Sequence, residues 1–124
     1  MIEIVKNEEK YWEFIRLLRI DDEVQDGFIE VVSITPEQQI SYMKNYNDNY
    51  LICLVDDKPA GFVGEIDGDI RVATHLSFQG RGIGTFMINE FMKIRPNSYA
   101  KVKVDNKASL SLFKKCGFHI KYYF

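Results

Sequence analysis

Three glycines alternate between Gln79 and Thr85, with Arg81 and Ile83 standing between Gly80, Gly82 and Gly84. A backbone bare at every second position can come close to a bulky anion. If a helix begins inside such a loop, its first N–H groups lack intrahelical partners and point at that anion, and the helix dipole adds favourable potential. The spacing therefore suits a pyrophosphate. It is not a dinucleotide fingerprint, because Thr85 follows Gly84 and the third glycine arrives one residue early for G-x-G-x-x-G. Nor is it a P-loop, since no lysine follows Gly84. The strand before it also belongs to an antiparallel hairpin, unlike a Rossmann first strand.

Titratable groups lie just upstream. His75, directly before the loop, has an intrinsic pKa suited to proton transfer. Glu65 and Asp69 flank the Asp67-Gly68 turn and are the carboxylate alternatives, Glu65 otherwise reading as a solvated hairpin acid and Asp69 as part of the turn. Arg71 suits an anionic part of a substrate or a surface ion pair. Cys53 and Cys116 are too few and too far apart for a zinc cluster or a disulfide framework, and read as packed thiols in a reducing cytosol.

The elements that position these residues follow from patterning. Met1 to Lys6 reads as a strand, and Asn7 as the cap of a helix with Tyr11, Phe14, Ile15 and Leu18 on one face. Asp21 to Ser33 carries no assignable pattern. Thr35-Pro36-Glu37-Gln38 has the residues of a capping box with proline at the first helical position, and Ile40 and Met43 are expected on that helix's inner face. Strands are predicted at Tyr50 to Val55, Ala60 to Ile66 and Asp69 to Leu76, joined by turns at Asp56-Asp57-Lys58-Pro59 and Asp67-Gly68. On the third of these, Ile70, Val72, Thr74 and Leu76 share one face, and Arg71, Ala73 and His75 the other. A helix with Ile83, Met87, Phe91 and Ile94 in register follows the loop. Tyr99 to Val104 is a strand, Asn106 caps a short helix closed by Gly117, and His119 to Phe124 is a last strand. The order β-α-α-β-β-β-α-β-α-β indicates an α/β sandwich on a mixed sheet.

Composition narrows the function classes. The chain has 124 residues, 46% of them hydrophobic and 27% charged, which fits one ordinary globular domain over residues 1–124. With 16 basic against 18 acidic residues it lacks a nucleic-acid footprint. Its longest clean apolar run, Tyr50 to Val55, is far short of a membrane span. The acidic, briefly apolar N-terminus does not read as a signal peptide, and a cytoplasmic location is expected.

Two motifs in register carry a resemblance. Gln79, Gly82 and Gly84 form Q-x-x-G-x-G. Asn106, Ser109, Leu112, Phe113, Gly117 and Phe118 form the trailing N-x-x-[AS]-x-x-L-[YF]-x-x-x-G-F. On these the chain resembles the GNAT superfamily of acyl-CoA-dependent N-acetyltransferases, most clearly from Tyr50 onward. The resemblance implies a GNAT-like, largely antiparallel sheet flanked by about four helices, here without a clear seventh strand. It implies acetyl-CoA as cosubstrate. Backbone groups of Val72, Ala73 and Thr74 would pair with the pantetheine arm at the splayed end of the fourth strand. The amides of Gly80, Arg81, Gly82, Ile83, Gly84 and Thr85 would hold the pyrophosphate of coenzyme A. Asn106 would contact the lower arm, and Phe113 would line the thioester.

The chain departs from the family twice. Where many members carry a tyrosine as acid toward the CoA sulfur, this sequence has Phe113. Where relatives that acetylate a ribosomal protein carry a glutamate, it has Lys101. The implied reaction is attack of a primary amine on the thioester, with His75 or Glu65 as base. Loose similarity around Leu18–Val24 and Ile34–Gln39 favours an amino sugar or other small-molecule amine over a protein amine. The acidic stretches Asp21 to Glu30 and Asp56-Asp57 could attract a cationic amine. A catalytically silent acyl-CoA-binding module is the rival reading. An exposed last strand would suit pairing of two copies into a homodimer.

Overall fold

Two tight turns set the register of the central ribbon. Asp56 and Asp57 have φ of 49° and 68°, and Asp67 and Gly68 have 52° and 86°, so both turns take positive φ at their two central residues, as right-twisted hairpins require. Aspartate tolerates this region because its short side chain bonds locally. In the computed structural model, which describes residues 1–21, 33–103 and 106–123, these turns join β2 (Tyr50–Val55), β3 (Lys58–Ile66) and β4 (Asp69–Thr74). The third strand thus begins at Lys58, two residues before its expected start, because the turn needs only two residues. Ala60 is passed over between Cys53↔Gly61 and Leu54↔Pro59, a bulge that sets Ala60 on the same side as Val63.

The other elements are β1 (Ile2–Lys6), α1 (Glu9–Ile20), α2 (Pro36–Tyr46), α3 (Ile83–Ile94), β5 (Tyr99–Lys103), α4 (Lys107–Lys115) and β6 (His119–Tyr123). The sheet runs in the order β1 to β6. β1 to β4 are mutually antiparallel, β5 is parallel to β4, and β6 is parallel to β5. Among the described residues this is the expected mixed α/β architecture, largely antiparallel, with four helices. Residues 22–32 of the unassigned segment, the end of the fifth strand at Val104 and Phe124 fall outside the described residues.

The sheet buries both faces. On the front, Ile15 and Leu18 of α1 and Met43 of α2 pack on Tyr50, Ile52, Leu54, Phe62 and Ala73. On the rear, Ile83, Met87, Ile88 and Phe91 of α3 and Phe113 of α4 pack on Val63, Ile70, Ala100 and Val102. The capping box forms: Thr35 Oγ1 accepts from the Gln38 amide at 3.1 Å, and Gln38 Oε1 from the Thr35 amide at 2.8 Å.

Three local expectations are corrected. Asn7 does not cap α1. Its amide is buried, donating to the Asn47 carbonyl at 3.4 Å and lying 3.6 Å from the Met43 sulfur, while Glu8 takes the N-cap position. Ile40 points to solvent. The buried pair on α2 is Gln39 and Met43, and Gln39 is admitted because its Nε2 donates to the Trp12 carbonyl at 2.7 Å. The fourth strand ends at Thr74, and Leu76 to Phe78 forms a 3₁₀ turn that leaves Leu76 exposed. Among the described residues, no helix is long and apolar enough to cross a membrane and no His, Cys, Asp and Glu group could hold a metal ion.

Candidate active site

The loop from Gln79 to Thr85 is held at both ends. Gln79 Nε2 donates to the Thr74 carbonyl at 3.2 Å, tying the loop to the end of β4. Ile83, almost fully buried, anchors the start of α3 in the rear core. Between them Gly80 and Gly82 have φ of 78° and 75°, a left-handed conformation that glycine takes without a Cβ penalty. No atom lies within 4 Å of where a Cβ at either would sit, so this backbone faces open space. Gly82 is the N-cap of α3 and supplies no side-chain cap. The first amides of α3 therefore keep their donors for a ligand. Arg81 is exposed, its guanidinium 5.4 Å from the Phe78 ring centroid.

Beside the loop the sheet divides. β4 and β5 share one register pair, Asp69↔Tyr99, with the Tyr99 amide donating to the Gly68 carbonyl at 2.8 Å. Beyond that pair the strands part. From Asp69 to Thr74 the notch runs about 17 Å at about 3.3 Å per residue. Val72 faces the rear core, Ala73 the front core, and the β5-facing backbone edge of this segment is not paired to a strand. Such an edge accepts an extended, amide-bearing chain as an added strand.

The remaining expected residues are distributed around this frame. Thr85 is half-buried in the first turn of α3. Asn106 caps α4, its Oδ1 accepting from the Ser109 amide at 3.1 Å. Phe113 is buried edge-on against Phe118, ring centroids 5.4 Å apart. His75 lies just past β4. Its Nδ1 accepts from the Ser77 amide at 3.1 Å, which leaves Nε2 carrying the proton in the neutral ring, and Phe14 and Phe78 flank it with centroids 6.4 and 6.3 Å away. Glu65 pairs across the ribbon with Ile70 on the rear, and Oε1 is 3.3 Å from Nη1 of Arg95 at the end of α3. The structure therefore brings the glycine loop and Val72–Thr74 together but holds His75 and Glu65 at opposite ends of β4.

Sequence reasoning named Asp69, Arg71 and Lys101 one at a time but not the group they form on the front of the notch, and it passed over Tyr42 and Tyr50. Asp69 sits at the point where the strands part, with Lys101 Nζ at 3.8 Å and Arg71 Nη2 at 4.0 Å. Burial pushes the Asp69 carboxyl above its ordinary value, against the opposing pull of Lys101 and Arg71. Next to them the Tyr42 and Tyr50 hydroxyls share a hydrogen bond of 2.7 Å. Burial raises the Tyr50 phenol, and Arg19 and Arg71 act in the other direction. Gly64 makes this possible, since a Cβ there would lie 2.6 Å from the Tyr50 ring and 2.5 Å from the Asn49 carbonyl. Strict alternation from Asp69 through Arg71 to Ala73 was the signal available. A cavity of about 370 Å³ lined by Ser98, Tyr99 and Lys121 lies instead toward the far end of α3, one helix length from the loop.

A mixed sheet parted between its fourth and fifth strands, with a glycine turn feeding a helix at the mouth of the notch, offers a free strand edge to an extended chain and free amides to an anion. The sequence signature described as the acetyltransferase (GNAT) family matches residues 17–118, and the chain belongs to that family. A relative from Methanocaldococcus jannaschii, named as an uncharacterized N-acetyltransferase, is 32% identical over 96 residues. That match covers 64% of this chain and 42% of the relative, so the chain spans less than half of that protein. Spermidine N-acetyltransferase from Vibrio cholerae, solved with CoA and spermine, superposes with a TM-score of 0.77 at 16% identity, covering 94% of this chain and 79% of that one. Ribosomal-protein-alanine N-acetyltransferase from Brucella melitensis gives 0.72 at 17% identity, covering 93% and 83%. At those identities the likeness is one of fold.

Proposed function

We propose that this chain is an acetyl-CoA-dependent N-acetyltransferase acting on a primary amine of a small molecule, an amino sugar being the favoured class. The observation that carries this reading is the unpaired edge of β4 ending in a glycine loop open to solvent. The residues fit coenzyme A: a diphosphate suits the amides from Gly80 to Thr85, and the pantetheine amides suit the backbone of Val72, Ala73 and Thr74. The Vibrio cholerae neighbour, solved with CoA, has the same fold.

Bound there, acetyl-CoA supplies an activated acyl group. The chain holds it against the amine, and proximity alone accounts for much of the acceleration. Backbone N–H groups along β4 are placed to stabilise charge on the carbonyl oxygen. The amine must lose a proton to a base or a water wire. In this reading Glu65, whose Oε1 faces Arg95, takes the proton through water, whereas His75 would serve as base only on releasing the Ser77 amide, since its one lone pair is engaged there. Asn106 would contact the lower arm, and Phe113 would line the thioester. A phenyl ring donates no proton, so the sulfur leaves as a thiolate, a feasible leaving group given a thiol pKa of about 8.5.

Calorimetry with CoA, followed by thiol release from acetyl-CoA over a panel of amino sugars, polyamines and peptides, tests this. Heat on CoA addition and turnover with an amino sugar are expected. An absence of heat refutes the reading. Heat without turnover on any amine supports the second reading, a silent acyl-CoA-binding module, which Phe113 favours. Turnover with peptides alone supports a protein-amine acetyltransferase. A homodimer paired along β6 also belongs to this proposal, and light scattering that shows a monomer at high micromolar concentration counts against it.

A further inference from the structure

The front of the notch carries more positive charge than an amine acceptor requires. Arg71, Lys101 and Lys121 surround the Asp69 carboxylate: Lys101 Nζ at 3.8 Å, Arg71 Nη2 at 4.0 Å, and Lys121 close enough to lower its pKa. Register places them together. Asp69 and Arg71 lie opposite Ile66 and Gly64 on the front of β3, and Lys101 and Lys121 are direct partners on β5 and β6. The Lys121 ammonium also stands 4.3 Å from the Tyr99 ring centroid, beside the pair that closes the notch. Arg19 reaches the same region from α1, 5.4 Å from the Tyr42 ring and acting on the Tyr50 phenol together with Arg71.

We infer that the acceptor is a primary amine that also bears an anionic group, a carboxylate or a phosphate, bound by Arg71 and Lys101 with Arg19 and the Tyr42–Tyr50 hydroxyl pair beside them. This rests on the transferase reading and narrows it. The chemistry is that of the side chains present. Guanidinium forks match carboxylate and phosphate oxygens, and hydrogen bonds between charged groups are the strong ones. Asp69 offers one negative charge to an ammonium a short distance from those cations. An acceptor with opposite charges at its two ends satisfies both, whereas a polyamine meets Arg19, Arg71, Lys101 and Lys121 as like charges. The acidic Asp56-Asp57 turn, expected to attract a cationic amine, lies at the other end of the ribbon, where Asp56 pairs with the Met1 amino group.

Binding to CoA-saturated protein by calorimetry is the test, with two matched pairs: glucosamine 6-phosphate against glucosamine, and 4-aminobutyrate against its amide. Spermidine is the cationic control. The anionic member of at least one pair should bind at least about tenfold tighter than its neutral partner, and more tightly than spermidine. The pair that shows the preference identifies phosphate or carboxylate. Arg71→Gln should bring the preference within about threefold, while Lys93→Gln, on the exposed side of α3, should preserve it. Lys101→Gln serves where Arg71→Gln does not fold. Neutral and anionic amines binding alike, spermidine binding best, or a preference untouched by Arg71→Gln and Lys101→Gln overturns the inference. Thiol release is measured separately. An anion preference without turnover refutes the transferase reading alone, and turnover without the preference refutes this inference alone.

Discussion

Replacing Gly82 by alanine separates what the loop does for folding from what it does for binding. Gly82 has φ 75° and ψ 12° at the N-cap of α3, and a Cβ there meets nothing within 4 Å. Steric clash therefore adds nothing, and the folded state bears only the left-handed penalty, about 1–2 kcal/mol for an L-residue. Loss of glycine's freedom in the unfolded chain returns about 0.4–1 kcal/mol. The net expectation is a destabilisation of no more than about 1.6 kcal/mol, read in urea melts as a lower or unmoved midpoint with unchanged slope. Coenzyme A should lose much more. The methyl group stands in the open space a diphosphate must enter to meet the α3 amides, and each hydrogen bond to a charged group contributes about 1.5–3 kcal/mol. Affinity by calorimetry should fall at least about tenfold. Gly84→Ala is the control: its φ is not positive, its Cβ would sit 3.4 Å from Leu112 Cδ2, and α3 gains a better helix former. Its stability should equal or exceed that of the parent. CoA affinity unchanged in Gly82→Ala would refute the assignment of the loop. A destabilisation beyond about 3 kcal/mol, more than the left-handed penalty allows, would refute the open space around it.

Three further outcomes are expected. Thr35→Ala removes the side-chain arm of the capping box, leaving Gln38 Oε1 on the backbone amide of residue 35, and should cost about 1 kcal/mol in urea melts, with a loss below a few tenths counting against the cap. Cys53 is fully buried and burial raises its thiol to about 11, so in a Cys116→Ser protein it should resist a thiol reagent at pH 7.5 until denaturant is added; fast labelling of the folded protein contradicts this. Asp69 is protonated more readily in the folded chain than in the unfolded one, mainly because of burial. Its stabilising contribution is therefore full below the ordinary carboxylate value and lost as pH rises through the raised folded value. The stability of the parent relative to Asp69→Asn should accordingly fall across that window, and a relative stability that grows with pH refutes the burial argument.

Features that depend on neighbours in the chain are legible in the order of residues. Thr35-Pro36-Glu37-Gln38 forms its capping box from four consecutive residues. Asp67-Gly68 makes its hairpin because the turn needs only those two backbone conformations. The glycine alternation from Gly80 to Gly84 and the Asn106 cap are equally local. Asn7 misleads because it also satisfies a local rule, capping, while the fold offers it a longer-range alternative: a buried place against Asn47 and Met43, some 40 residues away. Ile40 misleads because hydrophobicity is read without the partner that lets Gln39 turn inward.

What residue order determined by itself is the set of elements, their turns and the anion-facing loop, since each is fixed by backbone sterics and hydrogen bonds spanning a few residues. Tertiary structure alone decided where β4 and β5 part and which side chains face the notch. Arg19, Tyr50, Asp69, Lys101 and Lys121 come from five separate elements. No periodicity links them, and they meet only because sheet register and the packing of α1 and α2 bury the apolar faces those elements share.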